Sequence, residues 1–344
     1  MKFGRVNTAE AEGGILSHSI KLPGGKLGKG ILLSSLDVRD LQAAGINEVV
    51  IARLEAGDIS EDEAARRIAA AIAGENAVAE PAVNGRCNIH AARGGLLVFD
   101  SGDLVRLNLV DESLTIATLP AWSVVRPDQL IATIKIIPYG VRGQTVARLE
   151  DTARQTGCRL DVHAFRKLRI GLLQTQVEDF ETRILDKTRK VTDRRLGLLG
   201  NAIAMETRCA HHESSIAKGI DELLAADCKL ILIAGASASA DRRDVVPQAI
   251  EQAGGHIIHM GMPVEPGNLL LLAEIREQIP VICLPGCARS PALNGFDWVL
   301  ERLLAGSSVK STDIMAMGAG GLIKGAPSRI AMPPAKVVGP DAEE

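Results

Sequence analysis

The stretch KLILIAGASASADRRD, residues 229–244, indicates the fold of the second half of the chain. Leu230 to Ala234 form an uninterrupted apolar run, which is typical of a strand buried on both faces of a parallel sheet. A loop of small residues follows. Asp244 then precedes an apolar helical stretch, where an Asp side chain can cap the first backbone N–H groups. The order of strand, loop and helix predicts an α/β unit.

The same alternation extends in both directions from this stretch. Strand-like segments lie at 168–173, 202–205, 229–234, 256–259 and 281–284, and helical patterns lie at 180–199, 214–224, 245–253 and 291–304. Strands that alternate with helices at this spacing form a parallel sheet covered by helices. The sequence therefore predicts a three-layer α/β/α domain with a mostly parallel sheet over residues 166–306.

The rest of the chain is predicted to form three smaller parts. Residues 1–74 contain short β-prone pieces and an Ala-rich helix that begins at the capping box of Ser60 and Glu63, so they predict a small β-rich/α domain. Residues 75–165 predict a second small α/β domain. Residues 307–344 lose helical and strand periodicity and gain Gly and Pro, which is typical of a flexible tail or linker.

Composition excludes several classes of function. Aromatic residues make up 2% of the 344 residues and the formal net charge is −3, so the chain lacks both the rings and the basic stripe that nucleic-acid binding needs. No apolar run reaches the roughly 20 residues of a membrane span, and the N-terminus has no signal-peptide pattern. The six cysteines are scattered and match no metal or redox spacing. We expect a cytoplasmic protein without a membrane or nucleic-acid partner.

Two loops follow predicted strands, at the edge of an open α/β sheet where ligands bind. The first loop, residues 235–244, offers Gly235, Ser237 and Ser239, whose small side chains let the backbone approach a phosphate. Asp241 and Asp244 add carboxylates and are the candidate catalytic residues. The alternative for Asp244 is a helix cap and nothing more.

The second loop, residues 284–290, contains Pro285, Gly286, Arg289 and Ser290. Ser290 and Pro291 form the pair expected at the N-cap and first position of a helix. A helix N-terminus beside an arginine is a good phosphate site, so these four residues are candidates for ligand binding.

In this order, the loops resemble the molybdopterin-binding fold of the MogA/MoaB proteins and of domain III of the MoeA molybdenumtransferases. The shared features are the turn at 234–236, the segment 243–247 with Asp244 and Pro247, the pair Pro266 and Gly267, and the Leu-Pro-Gly turn that leads to Ser290. Asp186 and Glu213 also stand at matching places. The resemblance covers about 140 residues and adds Pro266 and Gly267 to the candidate ligand-binding residues.

The chain departs from that family at several points, among them a stretch before Asp244 that is about one residue longer than in MogA-like members. The second glycine of the first turn is Ala236, the residue before Pro266 is the acidic Glu265, and His212 stands where an Asp is expected before Glu213. The signature of the MoeA amino-terminal half is absent from residues 1–165. The whole chain therefore looks more like the molybdopterin-binding proteins that occur alone or fused to a MobA-like nucleotidyltransferase.

The resemblance implies a function in molybdenum cofactor biosynthesis. The ligand or substrate would be molybdopterin or its nucleotide form, with Mg²⁺ and molybdate as further reactants in an enzyme that inserts molybdenum. The alternative is a non-catalytic carrier that presents the pterin to a separate nucleotidyltransferase or molybdoenzyme. A homo-oligomer is expected in either case. Adjacent residues of a helix point in different directions, so His211 and His212 could not easily ligate one metal together, and they are interpreted as surface or capping residues.

Overall fold

A computed structural model describes residues 1–178, 181–276 and 278–323. The chain divides into two compact units, of which the first spans Met1–Ala164 and the second begins at Phe165. This break lies one residue from the predicted boundary between residues 165 and 166. The division of the chain into smaller domains stays a prediction, except at the boundaries after residues 74 and 306, where buried clusters extend across the predicted boundary. Within the described ranges, no helix combines the length and apolar character that a membrane crossing requires.

The first unit begins with a small antiparallel sheet and one helix. Its elements are β1 (Lys2–Asn7), β2 (Ile15–Leu16), β3 (Ile20–Leu22), β4 (Gly25–Leu27), α1 (Ser35–Ala43) and β5 (Glu48–Arg53). The strand order is β1-β5-β2, and β3 pairs with β4. A capping box formed by Ser34 and Asp37 starts α1, whose Val38 and Leu41 join a buried cluster with Leu16 and Ile51.

The rest of the first unit surrounds a second core. Its elements are β6 (Asp58–Ser60), α2 (Glu61–Ile72), β7 (Ala77–Ala79), β8 (Arg86–Ala91), β9 (Gly95–Val98), α3 (Ser101–Asn108), β10 (Leu114–Thr118), β11 (Val124–Val125), β12 (Leu130–Ile136), β13 (Gly140–Arg142), α4 (Gly143–Thr156) and β14 (Asp161–His163). An antiparallel sheet of order β10-β12-β8-β7 packs against α2, and α4 packs against α2.

Helix α2 belongs to this second core and not to the preceding segment. Its buried Ile68 and Ile72 lie in one cluster with Ile89, Ile134 and Leu149. The predicted boundary between residues 74 and 75 is therefore wrong as a boundary between cores. The Ser60 hydroxyl caps α2 as predicted, but the Glu63 carboxylate pairs with Arg66 in place of the second half of the capping box.

The second unit is built on a six-stranded mixed sheet. Its elements are β15 (Ile170–Gln176), α5 (Thr182–Leu198), β16 (Ile203–Ala210), α6 (Glu213–Ala225), β17 (Leu230–Ala234), α7 (Val245–Gln252), β18 (Gly255–Met260), β19 (Leu271–Ile275), β20 (Ile279–Cys283), α8 (Gly295–Leu304) and α9 (Ser311–Met315). The strand order is β16-β15-β17-β20-β19-β18. The first four strands run parallel, while β19 is antiparallel to both of its neighbours. The predicted α/β class is confirmed.

Alternate residues of the central strands enter two different buried clusters. Leu230 and Leu232 of β17 pack with residues of α5 and α8, whereas Ile231 and Ile233 pack with residues of α6 and α7. Because successive strand side chains point to opposite faces, the two clusters lie on opposite faces of the sheet. The uninterrupted apolar run of β17 follows from this, since both of its faces are covered.

The chain beyond residue 306 corrects the prediction of a flexible tail. Residues 311–315 form α9, and Val309, Ile314 and Met317 are buried in the cluster of α5 and α8. The backbone N–H of Glu265 donates to the carbonyl of Gly321, and the N–H of Ile323 donates to the carbonyl of Glu265. Residues 307–323 are thus packed structure. The rest of the predicted tail, residues 324–344, lies outside the described residues.

Candidate functional site

The two candidate loops lie side by side at one edge of the sheet. β15 ends at Gln176, β17 at Ala234 and β20 at Cys283, and these strands are parallel neighbours. The first loop leaves β17 and the second leaves β20. The backbone N–H of Leu284 still donates to the carbonyl of Ile233 at 2.8 Å. The sequence prediction that the loops follow parallel strands at the same edge is correct.

One peptide group joins the two loops to β15. The carbonyl oxygen of Gly235 accepts a hydrogen bond from Arg289 Nη2 at 2.7 Å. The N–H of the same peptide, on Ala236, donates to Thr175 Oγ1 at 2.7 Å. Arg289 Nη2 and Thr175 Oγ1 therefore lie at most about 8 Å apart, because the two bonds are linked through one C=O and one C–N bond. The candidate residues Gly235 and Arg289 are brought together.

The glycine at position 235 is required by the backbone of the first loop. A Cβ atom at this position would lie 2.6 Å from the carbonyl oxygen of Ser237, too close for any side chain. The two serines of the loop differ in exposure. Ser237 is exposed, and its hydroxyl lies 3.4 Å from the carbonyl oxygen of Ala238, whereas Ser239 is buried. Ser237 is the serine that solvent can reach.

Arg289 is a half-buried cation without an acidic partner. Among residues 1–178, 181–276 and 278–323, no carboxylate forms an ion pair with it, and its Nε atom is buried with no hydrogen-bond partner. Burial lowers the pKa of its guanidinium from the usual value, but an arginine still carries its charge at neutral pH. A desolvated guanidinium with spare donors favours an anionic ligand, in particular a phosphate.

The two candidate catalytic aspartates are engaged within the first loop. Arg243 donates to Asp241 from its backbone N–H and its side chain, and this contact lowers the pKa of the Asp241 carboxyl to about 2. Asp244 accepts from the N–H of Val245 at 2.9 Å and from that of Ala240 at 3.2 Å. Asp244 thus caps α7 and also holds the loop closed. The catalytic role of both residues stays a prediction.

An Asp244→Asn variant separates the two roles of this residue. Asn caps a helix about as well as Asp, but its amide nitrogen cannot accept the second N–H, so we expect a loss of about 1 kcal/mol in the free energy of unfolding. If the carboxylate is catalytic, the same variant also loses turnover of the bound substrate. Full turnover in Asp244→Asn would leave the cap as the whole role of Asp244.

The remaining candidates gather at the start of α8. The N–H of Gly295 donates to the carbonyl of Pro266 at 2.9 Å. Gly267 has a φ of +143°, and a Cβ there would lie 2.9 Å from the Gly295 nitrogen. Asn294, the N-cap of α8, donates from Nδ2 to Cys287 Sγ at 3.1 Å. The pair Pro266 and Gly267 thus reaches the second loop through the first residues of α8.

The second loop corrects the prediction that Ser290 and Pro291 start a helix. Residues 286–289 form a 3-10 turn in which the carbonyl of Pro285 accepts from the N–H of Ala288. Ser290 is exposed and accepts from the N–H of Ala292 at 3.3 Å, while α8 begins only at Gly295. A helix N-terminus at Ser290, predicted to bind a phosphate, is therefore absent from the described loop.

A buried ion pair explains why the helix starts late. Arg195 of α5 pairs with Asp297 of α8, and both side chains are almost fully buried. Arg195 also donates to the carbonyl of Ser290, and to that of Ala292 at 2.8 Å. These two bonds stabilise the non-helical backbone between Ser290 and Ala292. Arg195 thus positions the turn that follows Arg289.

The sequence analysis did not identify Thr175 and Arg195 as residues of this edge. It also did not predict that His211 lies there. Thr175 is buried at the end of β15 and lies 2.8 Å from Nδ1 of His211. Asp186, which matches the family pattern, forms an ion pair with Arg208 of β16 at 2.6 Å. Thr175 follows the predicted strand 168–173, whereas Arg195 lies within the predicted helix 180–199 and no sequence signal identified it.

Comparisons with known proteins give limited matches. Residues 5–53 match a family model described as a domain of unknown function, DUF8806. No curated protein matches the chain. The crystal structure of the molybdopterin biosynthesis enzyme MoaB from Thermus thermophilus matches with 15% identity and a TM-score of 0.29, and the match covers 42% of this chain and 99% of the MoaB chain. Neither match establishes the family of the whole chain.

Proposed function

We propose that the second unit binds molybdopterin, with its phosphate at Arg289, and that the protein acts in molybdenum cofactor biosynthesis. The observation that carries this proposal is the half-buried Arg289, which has spare N–H donors and no acidic partner among the described residues. It lies beyond the carboxyl ends of parallel strands, where open α/β sheets bind their ligands. Because residue 235 is a glycine, no side chain covers the backbone beside Arg289.

The choice of a pterin rests on the order of the sequence motifs. The segments 234–247, 266–267 and 284–290 follow one another as in the MogA/MoaB proteins and domain III of MoeA. Two helix-bearing clusters on opposite faces of the sheet support the three-layer form of that fold. The candidate ligand-binding residues are then Gly235, Ser237, Ser239, Pro266, Gly267, Pro285, Gly286, Arg289 and Ser290, with Arg289 as the main phosphate contact.

The Arg289→Gln variant tests the proposal. The removed charge should raise the Kd of a phosphorylated, oxidised pterin by about tenfold to a hundredfold, as expected for hydrogen bonds between charged groups. Fluorescence titration measures the affinity, and the dephosphorylated pterin should show a much smaller difference between variant and wild type. Arg169→Gln is the matched control, since this exposed arginine donates to the carbonyl of Ala226 at the opposite end of the sheet.

Equal affinity of Arg289→Gln and wild type for the phosphorylated pterin would contradict the proposed phosphate site. Failure of the wild-type protein to bind either pterin would contradict the proposed function as a whole. A comparable loss in Arg169→Gln would mean that the titration reports a general effect of removing a positive charge.

A carrier is the second candidate, and one observation favours it. Both carboxylates of the first loop are occupied, Asp241 by Arg243 and Asp244 by two backbone N–H groups. An enzyme that inserts molybdenum would need a carboxylate to orient Mg²⁺ or to act on the leaving group. A carrier needs neither and would pass the pterin to a nucleotidyltransferase or a molybdoenzyme. Turnover by the wild-type protein distinguishes the two, while homo-oligomer formation and cytoplasmic location stay predictions.

A further inference from the structure

His211 lies at the same edge of the sheet as Arg289. It follows β16 directly, is half-buried, and donates its backbone N–H to the carbonyl of Gln176 at the end of β15. Its Nδ1 atom lies 2.8 Å from Thr175 Oγ1, the same oxygen that accepts from the N–H of Ala236. His211 is therefore connected through one buried hydroxyl to the peptide that Arg289 holds.

The hydrogen bonds of Thr175 indicate which ring nitrogen of a neutral His211 carries the proton. A threonine hydroxyl has one proton and two lone pairs. Ala236 already donates to Thr175 Oγ1, and within the described residues His211 Nδ1 is the one acceptor in hydrogen-bond reach of this buried hydroxyl, so the hydroxyl proton is satisfied when it points at Nδ1 of a neutral His211. The neutral ring then carries its own proton on Nε2. A protonated ring donates from Nδ1 to the second lone pair of Thr175 and still carries a proton on Nε2, so His211 offers an N–H donor at Nε2 in both states.

We propose that His211 is a second phosphate-binding residue of this site, oriented by Thr175. This inference rests on the proposed function, since it assigns a further contact to the same ligand. Thr175 Oγ1 lies at most about 8 Å from Arg289 Nη2, given the two hydrogen bonds that meet at the 235–236 peptide. The Nε2 atom has no hydrogen-bond partner within the described part of the chain. The bound from Arg289 to Nε2 is longer by the 2.8 Å hydrogen bond to Nδ1 and by the width of the imidazole ring. A phosphate that lies between Arg289 and His211 would supply an acceptor to both.

A purely structural histidine would behave differently. Its task would be to receive the Thr175 proton and so to hold the Ala236 peptide, and any acceptor at the Nδ1 position would do this. Asn places its polar atoms near Nδ1 of a histidine, while Gln places them near Nε2. The variant His211→Asn thus keeps the bond to Thr175 and removes the outer donor, whereas His211→Gln keeps an N–H donor at the outer position.

The test is a fluorescence titration of the full chain with the phosphorylated, oxidised pterin. His211→Asn should weaken binding by about tenfold or more, the size of a hydrogen bond to a charged group, and His211→Gln should stay closer to wild type. Both variants should lose little affinity for the dephosphorylated pterin. His212→Asn is the matched control, since the adjacent, exposed His212 contacts Ser214 at 3.1 Å.

Imidazole ¹⁵N spectra of the wild-type protein give an independent measurement that does not depend on a variant folding. The neutral ring of His211 should be the Nε2–H tautomer, and the Nε2 signal should shift when inorganic phosphate is added. A neutral ring protonated on Nδ1, or an Nε2 signal that phosphate leaves unchanged, overturns the inference.

The outcomes separate this inference from the proposed function. If Arg289→Gln loses affinity for the phosphorylated pterin while His211→Asn keeps it, the pterin site stands and His211 is structural. If His211→Asn loses the same factor for both pterins, its assignment to the phosphate is wrong. If the wild type binds no pterin, the proposed function fails, and the phosphate titration of the Nε2 signal alone decides whether His211 belongs to an anion site.

Discussion

Replacing Asp297 with alanine is expected to lower the free energy of unfolding by about 3–5 kcal/mol, because it leaves the buried charge of Arg195 without a partner. Arg195 is 5% exposed and Asp297 is 3% exposed, so water cannot replace the lost carboxylate. The same Asp297 oxygen also accepts the N–H of Asn294 at 2.9 Å, and this part of the α8 cap is lost as well.

Urea unfolding, monitored by the fluorescence of Trp298, measures this change in the free energy of unfolding. Trp298 is the neighbour of Asp297 in α8, and replacing the other tryptophan, Trp122, with Phe removes the second signal. Lys229→Ala is the control, since its ion pair with Asp227 is exposed on both sides and should contribute little. An unfolding free energy of Asp297→Ala equal to that of Lys229→Ala would contradict the buried ion pair.

The Arg195→Met and Asp297→Leu changes made together provide a second test. The double variant removes both charges, so it should be less destabilised than the sum of the two single variants. It should not recover pterin affinity. Without Arg195, the carbonyls of Ser290 and Ala292 lose their donor, and the turn that positions Arg289 is no longer held.

The elements with strong local patterns were predictable from the sequence. The apolar run of β17 contains the β-branched Ile231 and Ile233 and ends at Gly235, which indicates a strand. Asp244 followed by Val245 could be recognised as a helix start. β19 was missed for a physical reason. The run Leu269-Leu-Leu-Leu-Ala273 is apolar at every position, so its periodicity does not distinguish a strand from a buried helical segment.

The site was predictable only in part, because its contacts join distant parts of the chain. The two loops were identified from their own residues, but Thr175 lies 61 residues from Ala236 and Arg195 lies 95 residues from Ser290. Ser290 and Pro291 satisfy the local rules for a helix start, yet a long-range donor, Arg195, holds the carbonyls of Ser290 and Ala292 in a non-helical turn. Local sequence rules carry no information on such a competitor.

Replacing Ile314 with alanine is expected to lower the free energy of unfolding by about 2–5 kcal/mol, the range for truncating a buried Ile in a packed core. Ile314 in α9 is fully buried and packs in the cluster of Phe296 and Leu300, within the segment that the sequence predicted to be a flexible tail. Met315→Ala is the matched control in the same short helix, because Met315 is 61% exposed and should change the free energy by less than about 0.5 kcal/mol. Urea unfolding with Trp298 as the reporter compares the two variants. Equal stability of Ile314→Ala and Met315→Ala would mean that residues 307–323 behave in solution as the linker that their composition predicted, since a segment detached from the core gains nothing from a buried isoleucine.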